Sequence, residues 1–217
     1  MKKKVLLMGL AAVMVMGAVV GGSLAAGQAS AENPVTAPLA AATLNIEWTG
    51  GKSDPVTLAV TDKALMPADK IEVKDGYKVD NTGSVDAYIR VTVTKYWADG
   101  KGKTTDLAAE NIELGLNSED WLQAESLFEG NSNETEVYYY KYPVPAGQST
   151  SELLETIGIP ADLTNDYADK TVKLEAVADG VQFAGADAAD LNASGILASW
   201  GVVAELDANG NLVSVTE

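Results

Sequence analysis

Val85-Asp-Ala-Tyr-Ile-Arg-Val-Thr-Val-Thr-Lys-Tyr-Trp97 places its apolar residues two apart. Val85, Ala87, Ile89, Val91 and Val93 alternate with Asp86, Arg90, Thr92 and Thr94. A period of two puts each set on its own face of an extended chain. The β-branched residues suit a pleated, half-buried surface. The stretch therefore predicts a strand of an antiparallel sheet with one face on a core. The same period recurs on both sides of it. In Thr43–Trp48, Leu44, Ile46 and Trp48 share a face. In Lys70–Asp80, Ile71, Val73, Tyr77 and Val79 oppose Glu72, Lys74 and Lys78. In Thr171–Phe183, Val172, Leu174, Ala176 and Ala178 alternate with Thr171, Lys173, Glu175 and Asp179.

Val56–Val60, Val137–Tyr142 and Leu212–Val215 read as further strands. Asn81-Thr-Gly-Ser84 and Asp207-Ala-Asn-Gly-Asn211 read as turns. Two stretches read as helix. Residues 150–157 carry a capping hydroxyl and early acids, and stop at Gly158 before Pro160. Ser118–Phe128 has a Ser cap, with Trp121, Leu122, Glu125 and Phe128 at helical spacing. Strands with short inserted helices predict a mainly β chain: an antiparallel two-sheet sandwich forming a single domain over residues 43–217.

Residues 1–25 are a separate object. Lys2, Lys3 and Lys4 precede an apolar and glycine run from Val5 to Val20, and small residues follow through Ala26. This is the pattern of an export signal peptide. Cleavage is expected between Ala25 and Ala26. A second small-residue site lies after Ala31, which would extend the signal peptide to 31, and a retained membrane anchor is the rival reading. Residues 26–42 are Ala-rich, hold Pro34 and Pro38, and carry one charge, Glu32. They predict a flexible N-terminal arm, in which Pro34, Val35, Pro38 and Leu39 are the candidate assembly residues. The end of the chain, Leu212-Val-Ser-Val-Thr-Glu217, has no apolar tail, so covalent attachment to a cell wall is not expected.

Composition narrows the chemistry. Among 217 residues there is no Cys and no His, and 15 basic side chains face 31 acidic ones, for a net charge of −16. Loss of the three leader lysines would take it to −19. Disulfides, thiolate nucleophiles and Cys/His zinc sites are excluded, as are Ser-His-Asp and Cys-His catalysis. Phosphate backbones would be repelled, so no nucleic-acid partner is expected. The lack of Cys in an exported chain fits a Gram-positive exterior. No G-x-S-x-G, S-x-x-K, phosphate-binding glycine loop or dinucleotide fingerprint occurs. Asp207, Asn209 and Asn211 hint at a calcium loop but lack its glycine and glutamate spacing, so a hairpin turn is the reading preferred. Asp179, Asp187 and Asp190 have oxygen ligands for calcium, against a solvated acidic surface as the plainer reading. Tyr138, Tyr139, Tyr140 and Tyr142 suit either a sugar-stacking platform or a strand with tyrosine on both faces. The second is preferred. No catalytic, cofactor or metal residue is assigned.

Four stretches resemble the TasA/camelysin family of exported Gram-positive proteins. The leader from Lys2 to Ala25 is similar to signals processed by SipW-type signal peptidases. Leu39-Ala-Ala-Ala-Thr-Leu-Asn-Ile46 resembles the family's first mature strand. Leu65-Met-Pro-Ala-Asp-Lys-Ile, followed by Tyr77-Lys-Val-Asp-Asn-Thr-Gly-Ser84 and Tyr88-Ile-Arg90, resembles its Leu-x-Pro-Gly-Asp and Asn-x-Gly-Ser blocks. Tyr167-Ala-Asp-Lys-Thr-Val-Lys-Leu-Glu-Ala and Val181-Gln182 resemble a late strand. Ala68 stands where the family often has Gly.

The resemblance implies an immunoglobulin-like or jelly-roll sandwich. It also implies a secreted structural subunit of biofilm-matrix or cell-surface fibres, self-assembling or joining related matrix proteins. The membrane would be met only through the leader. Some members are described as metallopeptidases. Without His, zinc chemistry of that kind is not expected here, nor is an enzyme. A surface adhesin or binding module is the alternative function, and a camelysin-like secreted peptidase a further one.

Overall fold

In a computed structural model, the described residues are 42–50, 56–58, 67–73, 77–104, 106–123 and 134–216. They form thirteen strands and one α-helix. The strands are β1 (Ile46–Trp48), β2 (Val56–Leu58), β3 (Lys70–Glu72), β4 (Val79–Asn81), β5 (Ala87–Asp99), β6 (Gly102–Lys103), β7 (Glu113–Leu116), β8 (Trp121–Gln123), β9 (Thr135–Tyr140), β10 (Leu154–Gly158), β11 (Thr171–Gln182), β12 (Val203–Leu206) and β13 (Leu212–Thr216). The helix α1 spans Ala189–Trp200.

The fold is mainly β and antiparallel. A six-stranded sheet runs β2-β11-β5-β9-β8, with β6 paired to β5. Its spine is the ladder between β5 and β11, in register from Thr171↔Ala98 to Gln182↔Ala87. Facing it is a composite layer. The β1-β4 pair and the β3-β10-β7 sheet are joined because the chain before β10 runs beside β4. There Asn81 N–H donates to Gln148 O at 2.8 Å, and Thr150 N–H donates to Val79 O at 2.9 Å.

The alternation in β5 decides what lies between these layers. Ala87, Ile89, Val91, Val93 and Trp97 point inward with Val172, Leu174 and Ala176 of β11. Across from them pack Trp48, Val79, Leu154 and Ile157. A fully buried aliphatic such as Ile89 contributes roughly 1.5–3 kcal/mol. A one-residue slip of β5 would turn this whole set outward, so burial itself fixes the register.

The other face of the sheet is also covered. Tyr88, Tyr139 and Val181 meet Ile196 of α1, Val202, Ala204 of β12, and Leu212 and Val215 of β13 in a second core. A layer of helix and hairpin thus lies on the outer side of the sandwich. Arg90, Asp179 and Trp200 tie it down. Arg90 Nη2 lies 3.0 Å from Asp179 Oδ2, Trp200 Nε1 donates to Asp179 Oδ1 at 2.5 Å, and the guanidinium sits 5.3 Å from the Trp200 ring centre.

Three expectations are corrected. Residues 150–157 are not a helix: Leu154–Gly158 is a central strand of its sheet, with partners on both sides. The predicted helix Ser118–Phe128 begins as a turn and then strand β8. The remainder of that stretch, 124–128, lies outside the described residues. Lys70–Asp80 is not one strand, since β3 and β4 belong to different sheets. Ile71 pairs with Ile157 of β10, whereas Val79 pairs with Trp48 of β1.

Ala68 has φ +70°. This is the left-handed region that suits glycine and costs an L-residue roughly 1–2 kcal/mol. Its N–H still donates to Ile159 O at 3.0 Å, which holds the turn against the end of β10.

Candidate functional site

The expected arm residues Pro34, Val35, Pro38 and Leu39, and the expected cleavage pair Ala25 and Ala26, lie outside the described residues, as does Ala31. The chain that follows the expected arm is described from Ala42 onward. It is clamped by the turn Asn81–Ser84. Thr43 N–H donates to Ser84 Oγ at 2.8 Å, and Ser84 N–H returns a bond to Thr43 O at 2.7 Å. Thr82 and Gly83 N–H groups both donate to Asn45 O, at 2.9 and 3.1 Å, and Asn45 Nδ2 donates to Thr82 Oγ1 at 2.7 Å.

Each residue of the turn has a reason to be there. Asn81 is wholly buried; its Nδ2 donates to Val85 O and Val144 O, both at 2.8 Å, and its Oδ1 accepts from Gly83 N–H. The buried amide is therefore satisfied on both sides, as burial requires. Gly83 permits the close approach: a Cβ there would lie 2.4 Å from Thr43 O and 2.8 Å from Asn45 N. Beyond the clamp, Ile46 packs over Gly180 of β11, where a Cβ would fall 1.9 Å from Ile46 Cδ1. β1 is thereby fixed both to β4 and to the face of the main sheet.

The acidic residues are not gathered. Asp179 is engaged by Arg90 and Trp200, while Asp187 and Asp190 are exposed near α1. Among the described residues no group of three acidic side chains is placed to share a metal ion. The Asp207–Asn211 segment is a hairpin turn. The Asp207 carboxylate accepts from the N–H groups of Asn209 and Asn211 and from Asn211 Nδ2. These bonds, that of the Asn211 backbone foremost, hold its carboxyl below the ordinary range.

The tyrosine cluster takes the strand reading. Tyr138 faces the main core, Tyr139 faces the second core, Tyr140 is half-buried and Tyr142 is exposed. Beside Tyr138 lies a charged pair that sequence reading missed. Lys95 occupies an inward position of β5. Its ammonium donates to Ile112 O at 2.8 Å and pairs with Glu136, which also accepts from Tyr138 Oη. Burial first, and then the Glu136 charge, push the Tyr138 phenol far above its usual value. A lysine in an apolar alternation is the only sequence signal of this pair. It joins β5 to β9.

No protein-family profile, no curated protein and no solved structure matches the chain.

Proposed function

We propose that this chain is a secreted structural subunit of extracellular fibres, of the biofilm-matrix or cell-surface kind, which assembles by donating its N-terminal arm as a strand to a neighbouring subunit. The observation that carries this reading is the clamp at Thr43–Asn45. It gives the preceding segment a fixed point of departure at one end of the sandwich, beside a turn built to hold it.

The arm's sequence suits an added strand. From Asn33 to Ile46 there is no charge in a chain of net charge −16. Pro34 and Pro38 are four residues apart, so in an extended strand their missing N–H groups fall on the same side. A strand added at a sheet edge is paired on one side only, and both prolines can occupy the unpaired side. Val35 and Leu39 share the other parity and would present their N–H groups to the acceptor. Main-chain bonds of this kind provide affinity without a catalytic or metal site. The contact is head-to-tail and propagates rather than closes. A leader attached at Ala25 would encumber the arm, which makes signal cleavage the natural start of assembly.

Electron microscopy of the secreted chain, beside a chain beginning at Thr43, tests the reading. The secreted chain should form filaments, and the shortened one should stay folded and monomeric. Equal polymerisation by both would overturn arm donation. A secreted chain that remains monomeric at high concentration would favour the adhesin alternative.

A further inference from the structure

Among the described residues, Lys95 is the only charged residue that is buried. It is 4% exposed, and the Glu136 side chain beside it 17%. The ladder between β5 and β9 holds the two together. Val93 lies opposite Glu136, and Lys95 N–H donates to Glu134 O at 2.7 Å, so Lys95 and Glu136 are diagonal neighbours on one face of adjacent strands. Lys95 Nζ donates to Ile112 O at 2.8 Å and touches Glu136 Oε1. Glu136 Oε2 accepts from Tyr138 Oη and, at 3.3 Å, from Gln123 Nε2. An ion pair so placed has given up water around both charges, a loss that mutual attraction often fails to offset. A neutral product of the same two groups would remove that cost. We propose that Lys95 and Glu136 condense to an amide, an internal covalent cross-link between β5 and β9.

The hydrogens of the ammonium account for the whole reaction. One passes to Oε1 and leaves Nζ with a lone pair. The lone pair attacks Glu136 Cδ, the C–N bond forms, and negative charge moves onto Oε2. There the Tyr138 hydroxyl and the Gln123 amide already stand as donors, and preorganised donors of this kind stabilise a tetrahedral oxyanion. The Tyr138 phenol, held far above its usual value by burial and then by the Glu136 charge, keeps its proton and stays a donor throughout. A second hydrogen then passes from Nζ to Oε1, the C–Oε1 bond breaks, Oε1 leaves as water, and the carbonyl re-forms at Oε2. The third hydrogen remains on nitrogen, where Ile112 O continues to accept it. No oxidant and no cofactor is consumed. Two groups fixed on paired strands react at high effective molarity, and a site closed to water disfavours the return hydrolysis. In a chain without Cys, the amide supplies a tie that no disulfide can. It lies in the main sheet and is independent of the arm and of the fibre reading.

Mass spectrometry of the full, unaltered chain tests this without any substitution. The intact protein should be lighter by one water than its sequence requires, and should remain so after denaturation. Trypsin should fail to cut after Lys95, and should release Val91–Lys101 joined to Thr104–Lys141 as one branched peptide. A chain at full mass, cut normally after Lys95, would overturn the proposal and leave an ion pair and nothing more. Two variants then assign the parts. Lys95→Arg keeps a cation beside Glu136 but has no amine to condense, so it should stay at full mass. A water loss that persists in Lys95→Arg would place the dehydration elsewhere and overturn the cross-link. Tyr138→Phe should slow the appearance of the branched peptide after synthesis on the order of 100-fold, the usual cost of removing one oxyanion donor. Linkage at the parent rate in Tyr138→Phe would overturn the role given to the phenol.

Discussion

Tyr88 shows how one side chain reports on a whole layer. It is fully buried, its hydroxyl donates to Gly210 O at 2.8 Å, and its ring meets Phe183 edge-on at 5.5 Å. Burial, with a smaller contribution from the Asp207 charge, raises its phenol from 10.0 to about 12. The folded chain thus holds this proton more tightly than the unfolded one. The associated stability is complete below 10.0 and is lost as pH climbs through about 12. Following phenolate absorbance in the parent chain and in Tyr88→Phe should show the Tyr88 signal absent at pH 10 while the fold persists. A Tyr88 phenolate present at pH 10 in folded protein would contradict the buried placement. The phenylalanine variant should lose about 0.5–1.5 kcal/mol at neutral pH, because Gly210 O is left without its donor. The burial of Tyr88 was not legible in sequence. Alternation assigns it to the face opposite Ile89, and only the C-terminal layer, which has no strand alternation over Ala189–Trp200, turns that face into a second core.

At the scale of elements, legibility followed contrast between faces. β5 and β11 were readable because each has apolar residues on the main-core side and polar ones interleaved. β10 was not: Leu153, Leu154 and Ile157 are all buried, and their spacing fits a helical stripe as well as a strand enclosed between β3 and β7. Helix α1 escaped for a related reason. Leu191 and Leu197 are exposed while Ile196 is buried, so apolar residues occur on more than one face. The Asn81–Ser84 turn was readable as a turn, but its bonds to Thr43 and Asn45 span a separation no local pattern encodes. Those bonds give a prediction. Gly83→Ala would drive a Cβ against two backbone atoms that cannot swing aside, so the turn and the arm root must part. Hydrogen exchange should show protection lost at Thr82, Gly83 and Ser84 while the β5–β11 ladder keeps its own, with a stability cost of about 1–3 kcal/mol. Unchanged protection at these amides would mean that the clamp is not made as described.

For the whole molecule, alternation foretold the mainly β architecture and composition the acidic charge; of the third layer the Asp207–Asn211 turn and the strand after it were legible, whereas α1 was not. For the proposed assembly, charge would set the conditions. Repulsion between acidic subunits is screened over a Debye length of about 8 Å at physiological ionic strength. Filament growth, followed by light scattering, should accelerate as salt is raised. It should also accelerate on mild acidification, within limits. Asp99 and Asp207 titrate below 3.8 in the folded chain, Asp99 mainly through the Lys101 N–H and Asp207 through that of Asn211. Their contribution to stability is present above 3.8 and lost as pH falls through the lowered values. Acid should therefore promote growth down to the ordinary carboxylate range, and the stabilising contribution of these two carboxylates should fade only beneath it. Growth that slows with added salt would rule out repulsion as the barrier. The clamp at the arm root also has a mechanical meaning. Tension applied at Ala42 meets Thr43 and Asn45 first, and they pass it to the Asn81–Ser84 turn through several hydrogen bonds at once. Asn81 hands the load on to the Val85 and Val144 carbonyls, next to the start of β5. A pull on the arm is thereby delivered to the longest strand of the main sheet, the one with the most extensive ladder to resist it.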